Sequence, residues 1–105
     1  MKALGFVEVS GVVAAVEALD SMLKTADVEF VTWENKLGGR LVTIVITGSI
    51  SSVNEAVEIG SARANAITKT VAHAIIANPH EEVIKLIQIS AKKLNLAKSG
   101  EAREF

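Results

Sequence analysis

The chain has 105 residues, 50% of them hydrophobic and 22% charged, with a formal net charge of −1 and no cysteine. That length gives one domain that can bury a core while much of its surface stays exposed. Near-neutral charge argues against a nucleic-acid binder, and the missing thiols exclude disulfides, thiolate metal sites and a cysteine nucleophile.

Residues 3–9 (ALGFVEV) favour β-structure and follow Met1 and Lys2 at once, so no leader segment is expected. No apolar run approaches the roughly 20 residues that span a bilayer, so the expectation is a soluble cytoplasmic protein without membrane contact. Ser10 is a good N-cap for a helix over residues 11–25. Val12, Val16, Leu19 and Leu23 share a helical stripe there, broadened by Val13 and Met22, with Glu17, Asp20, Ser21 and Lys24 opposite. Asp20 and Lys24 are four apart and form a surface ion pair worth a few tenths of a kcal/mol.

Residues 28–34 and 41–47 read as strands, the second (LVTIVIT) apolar enough to lie inside a sheet. Trp33, the one tryptophan, reads as core or interface filler. Between the strands, Lys36, Leu37, Gly38, Gly39 and Arg40 form a hairpin tip, where adjacent glycines permit positive φ. Gly48 ends the second strand, and Ser49 caps a helix over residues 50–68. Its inward stripe is Val53, Ala56, Val57, Gly60, Ala64 and Ile67, whose small members suit close approach to a sheet.

Residues 71–77 make a fourth strand. Asn78 as N-cap, Pro79 at the first helical position, and Glu81 and Glu82 in the first turn then start a helix that runs to about residue 96. Its inner side carries Val83, Ile84, Ile87, Ala91 and Leu94, with Lys92 and Lys93 towards its C-terminus. Residues 99–105 show no pattern and read as a loose tail.

The order β-α-β-β-α-β plus a C-terminal helix predicts an α+β, ferredoxin-like sandwich with both crossover helices on one sheet face. The other face awaits the C-terminal helix or another subunit. Mean hydropathy of +0.37 exceeds what a small domain needs for its own core and points to self-association.

Catalytic chemistry is sparse. His73 lies in a strand-like run and reads as a packed or hydrogen-bonded residue. His80 stands at a helix start, without a second histidine at ligand spacing. No serine sits in G-x-S-x-G, and Gly38-Gly39 is neither a dinucleotide fingerprint nor a Walker loop. Glu55 with Glu58, and Glu81 with Glu82, fall at exposed helical positions where solvation is the ordinary reading. No active site, metal or cofactor is expected.

The segments ALGFVEV at 3–9, VEALDSMLKTA at 16–26, KLGGRLVTIVITGS at 36–49, Gly60-Ser61-Ala62 and NPH at 78–80 follow one another in order. Together they resemble the hexameric, single-domain shell proteins of bacterial microcompartments over residues 2–84. The combination of A-L-G, D-x-M-x-K and K-[IL]-G-[SG] carries the likeness rather than any single motif. The resemblance implies a non-enzymatic homohexameric tile in the bacterial cytoplasm, self-assembling with neighbouring hexamers and other shell proteins around encapsulated enzymes. Residues 1–80 then form the shell domain, 81–97 its C-terminal helix and 98–105 a flexible tail.

It further implies that Lys36, Leu37, Gly38, Gly39 and Arg40 line a central pore for small polar metabolites. Lys24, Asn78, Pro79 and His80 fall at hexamer-edge positions. Two positions depart from the family pattern. Gly39 and Arg40 stand where Ser and then Gly are common, which leaves backbone groups on the pore wall and favours anions if the arginines face the axis. Asn78 stands where an arginine is common and lacks that residue's five-donor fork. The C-terminal helix either packs on its own subunit or dresses one disc face and binds lumenal enzymes.

Two rivals share the topology. A ligand-sensing oligomeric regulator needs a long loop between strands two and three, and this one is short. A small phosphatase needs an anion-cradling loop after strand one, and Ser10-Gly11-Val12 has no arginine beside it.

Overall fold

A computed structural model describes residues 2–36 and 40–102, with side chains at all of these except 36, 70, 71 and 96–102. Its elements are β1 (Ala3–Ser10), α1 (Val12–Thr25), β2 (Val28–Lys36), β3 (Leu41–Gly48), α2 (Ile50–Asn65), β4 (Thr70–Ile76) and α3 (Glu81–Ala102). The four strands form one antiparallel sheet in the order β2-β3-β1-β4, as the ferredoxin-like reading expects.

Strand alternation divides the sheet's faces. Val7 pairs with Ile44, Val9 with Val42 and Gly5 with Ile46, and this face lies under α1 and α2. Val7, Val9, Val42, Ile44, Ile46, Met22 and Val53 are fully buried there, each large side chain contributing about 1.5–3 kcal/mol by leaving water. Val28, Phe30, Trp33 and Ile75 close the edges of that core, so Trp33 is partly buried filler, as its isolation in the sequence suggests. A bulge between Phe30 and Thr32 shifts the alternation of β2, so Phe30 and Trp33, three residues apart, both face the helices while Thr32 faces away.

Two helix faces differ from expectation. On α1 the inward residues are Ala14, Ala15, Ala18 and Met22, whereas Val12, Val13, Val16 and Leu23 are 43–69% exposed. Met22 and Leu19 of the expected stripe do face the core, but its valines and Leu23 give way to alanines at the same helical spacing. Alanines turned inward let α1 settle closely on α2 and the sheet, an advantage that large aliphatics forfeit. On α2, Val53, Ala56, Val57, Gly60 and Ala64 are buried as expected. Ile67 lies past the helix end and is 48% exposed.

The caps follow a similar logic. Ser49 does cap α2, its hydroxyl accepting the Ser52 N–H at 3.2 Å. Ser10 does not cap α1, because it is still paired with Leu41 in the sheet; Gly11 takes the N-cap place with φ of 96° and no side-chain acceptor. Asn78 does not cap α3 either. His80 does so, its Nδ1 accepting the Glu82 N–H at 3.0 Å and its carbonyl the N–H groups of Val83 and Ile84. Helix α3 runs on to Ala102, past the expected end near residue 96.

The opposite sheet face carries Leu4, Phe6 and Glu8 of β1, Thr43 and Val45 of β3, and Thr32 and Glu34 of β2. Among the described elements, the backbone of α3 comes closest to β2, and its Leu86 and Ile87 line a recess over Phe6 of β1 and Val45 of β3. Thr32 is fully buried beneath it, and its hydroxyl sits 2.9 Å from that of Ser90, which donates to the Glu34 carboxylate. Since Ser90 spends its proton on Glu34, Thr32 is the donor to Ser90. Val83, Ile84, Ile87, Ala91 and Leu94 are all half-buried, so the inner stripe of α3 is as the sequence indicates.

Candidate functional site

The register sorts the sequence-derived site residues into two groups at opposite ends of the strands. At one end Lys36 pairs with Leu41, and Leu41 with Ser10. Arg40 is exposed there, and its carbonyl accepts the Gly11 N–H at 2.8 Å. This bond ties the base of the β2–β3 hairpin to the turn between β1 and α1. The positive φ of Gly11 turns that N–H towards the hairpin, in a region an L-residue rarely adopts. Leu37, Gly38 and Gly39 lie outside the described residues.

At the other end Ala3 pairs with Gly48, Gly48 with Val28, and Leu4 with Ile76. Lys24, in the last turn of α1, precedes β2 at this end, while Asn78, Pro79 and His80 follow β4 there. The Lys24 ammonium is 3.0 Å from the Asp20 carboxylate, with both side chains more than half exposed, so the pair contributes only a few tenths of a kcal/mol. Asn78 and His80 are exposed, and Pro79 is buried. Eight-residue β1 separates the two ends by about 25 Å at a rise of about 3.4 Å per residue.

The surface between the ends holds shallow recesses. One at the Lys24 end is lined by Lys2, Asp27, Glu29, Thr47 and Ser49. Another, between α2 and β4, has Glu58, Asn65 and His73 in its walls, so His73 is an exposed edge-strand residue rather than a packed one. Arg63 of α2 donates from Nε and Nη2 to one oxygen of Glu17 at 3.3 and 3.1 Å, pinning the two helices together on their outer side. Among the described residues there is no group of three histidines or carboxylates able to hold a metal.

Sequence reasoning missed three features near these ends: the Gly11–Arg40 bond, the His80 cap and the Thr32–Ser90–Glu34 chain. Only the last left a legible signal, since Ser90 interrupts the inner stripe of α3 three residues after Ile87. The other two are backbone geometry and a rotamer, which no residue pattern spells out.

An α+β sandwich whose strands carry a short cationic hairpin at one end and a Lys-Asn-Pro-His rim at the other defines the class. Within that class, the BMC domain model matches residues 3–79. The chain is 40% identical over 86 residues to the bacterial microcompartment shell protein PduA of Citrobacter freundii, covering 82% of this chain and 91% of that protein. It is 40% identical over 91 residues to the carboxysome shell protein CsoS1A of Hydrogenovibrio crunogenus, covering 86% and 94% respectively. Among solved structures, a microcompartment protein from Desulfitobacterium hafniense superposes with a TM-score of 0.73 at 28% identity. That match covers 86% of this chain and 48% of the other, so the chain spans about half the length of that protein. The chain belongs to the BMC-domain family of microcompartment shell proteins.

Proposed function

We propose that the chain is a structural tile of a bacterial microcompartment shell, working by assembly and selective diffusion rather than by catalysis. Six copies close into a disc with their hairpin ends at the sixfold axis and their rim ends outward. The observation that carries this reading is the family match together with the placement of Arg40 and Lys24 at opposite ends of the strands. A tile needs that polarity: one end builds a pore and the other meets the next disc.

Lys36, Leu37, Gly38, Gly39 and Arg40 then line the pore, which passes small polar metabolites. Arg40 is exposed and held by its carbonyl to Gly11, so its guanidinium is free to meet anions at the pore mouth. Lys24, Asn78, Pro79 and His80 form the disc edge, with buried Pro79 fixing the path of the chain between its exposed neighbours. The exposed valines of α1 and Leu23 are the apolar surplus that a subunit interface covers. Other shell proteins adjoin the disc, and the shell encloses enzymes in the bacterial cytoplasm. The regulator reading is not favoured, since the curated relatives are shell proteins and only four residues separate β2 from β3.

The test is assembly first, transport second. Native mass spectrometry is expected to give a hexamer, and electron microscopy sheets or tubes; a monomer or trimer without sheets defeats the tile. Gly39→Leu is then expected to keep the hexamer while slowing metabolite passage through assembled shells. Unchanged flux removes the loop from transport.

A further inference from the structure

If the strands of each tile point at the ring axis, its two flanks are the edge strands β2 and β4, and each β2 edge faces the β4 edge of the next copy. The route of α3 matters here. It begins four residues after β4 and crosses the sheet, with Leu86 and Ile87 lining a recess over Phe6 of β1 and Val45 of β3, before its backbone comes closest to β2, the far edge of the sheet. Three strand spacings, about 14 Å, separate those edges. With Ser90 anchored to Thr32 and Glu34, the helix has already reached β2. Ala91 and Leu94 are still half-buried within their own subunit, and the eight residues after them, 95–102, continue for about 12 Å. Having passed β2, they run beyond the sheet of a single tile.

What is left uncovered matches this. On the sheet face that carries α3, β4 presents Ala72, Ala74 and Ile76, the cross-strand partners of Glu8, Phe6 and Leu4. The two alanines are exposed and Ile76 is half-buried. Small apolar side chains on a sheet allow a helix to lie close above them. The chain thus has a helix overrunning one flank and a bare apolar strip of sheet along the other.

We propose that the C-terminal half of α3 docks on the β4 face of the neighbouring copy, over its Ala72, Ala74 and Ile76, strapping adjacent subunits of the ring together. The contact is head-to-tail, so six straps close the ring without a loose end. The proposal rests on the hexameric-tile reading, and the following experiment separates the two.

The chain has no cysteine, so Ala74→Cys and Asn95→Cys, both at exposed positions, can be introduced together as a single unambiguous pair. Oxidised hexamer is expected to give a non-reducing ladder from dimer up to hexamer. Rings assembled from a mixture of the two single variants are expected to stop at dimers. On the unaltered protein, rings of mixed light and heavy isotope treated with an amine-reactive linker are expected to join Lys69 to Lys92 or Lys93 as light–heavy pairs. A hexamer by native mass spectrometry with only intramolecular bonds, or with same-isotope links alone, overturns the strap while leaving the tile intact. Absence of the hexamer overturns the tile and the strap with it.

Discussion

Replacing Gly5 by alanine tests how closely α2 lies on the sheet. A Cβ at this position would sit 2.8 Å from Val53 Cγ1, 2.9 Å from Val57 Cγ2 and 3.2 Å from Ile46 Cγ1. All three side chains are buried and β-branched, so none can swing away from a new methyl group. Overpacking of this kind costs about 1–3 kcal/mol. Alanine also stiffens the unfolded chain, which returns about 0.4–1 kcal/mol because Gly5 does not need positive φ. The expected net is a loss of about 1–2 kcal/mol, or roughly 4–12 °C in Tm. The assay is urea unfolding at one fixed protein concentration, since assembly adds its own stability. Adding Val57→Ala opens room for the methyl, so the double variant should lose less than the two single losses summed. An unchanged or raised midpoint for Gly5→Ala, or strict additivity with Val57→Ala, refutes the close-packing argument.

Two further substitutions address local devices. Ser49→Ala removes the acceptor for the Ser52 N–H and should lower stability by about 1 kcal/mol, restored by Ser49→Asp, as read by thermal unfolding. Ser90→Ala leaves the fully buried Thr32 hydroxyl without its acceptor and frees Glu34. The cost, about 1–3 kcal/mol, should appear as faster amide exchange in α3 while β1 and β3 keep their protection.

The frame of the fold was legible because its signals are local and agree. Alternation in β1, the apolar run of β3, and Ser49 before α2 each dictate an element on their own, and their order allows few topologies. The candidate site was legible in a different way. The element order and register together bring Ser10 and Arg40 to one end of the sheet and Lys24 and Asn78 to the other, because antiparallel strands of matched length return the chain to its starting side. The caps were less visible. Ser10 and Asn78 have the chemistry of N-caps, but whether such a residue caps depends on where the sheet releases the chain. Ser10 is still paired with Leu41, and the chain after Ile76 runs four residues further before α3 begins.

The misread side chains have a common physical cause. Valines at positions 12, 13 and 16, Leu23 on α1 and Ile67 after α2 were all assigned inward because they are large and apolar, and all prove exposed. Alanines 72 and 74 carry the same mark on the sheet. A monomer gains nothing from this surface, and each exposed patch raises its risk of unspecific association. In the ring proposed above the same residues would lose water against a neighbour, where burying a valine or leucine is worth about 1.5–3 kcal/mol. Hydrophobic periodicity reports only that a side chain leaves water, not which chain covers it. The pattern in α1 is therefore two stripes rather than one: alanines that set the fold, and exposed valines that the proposed ring would cover.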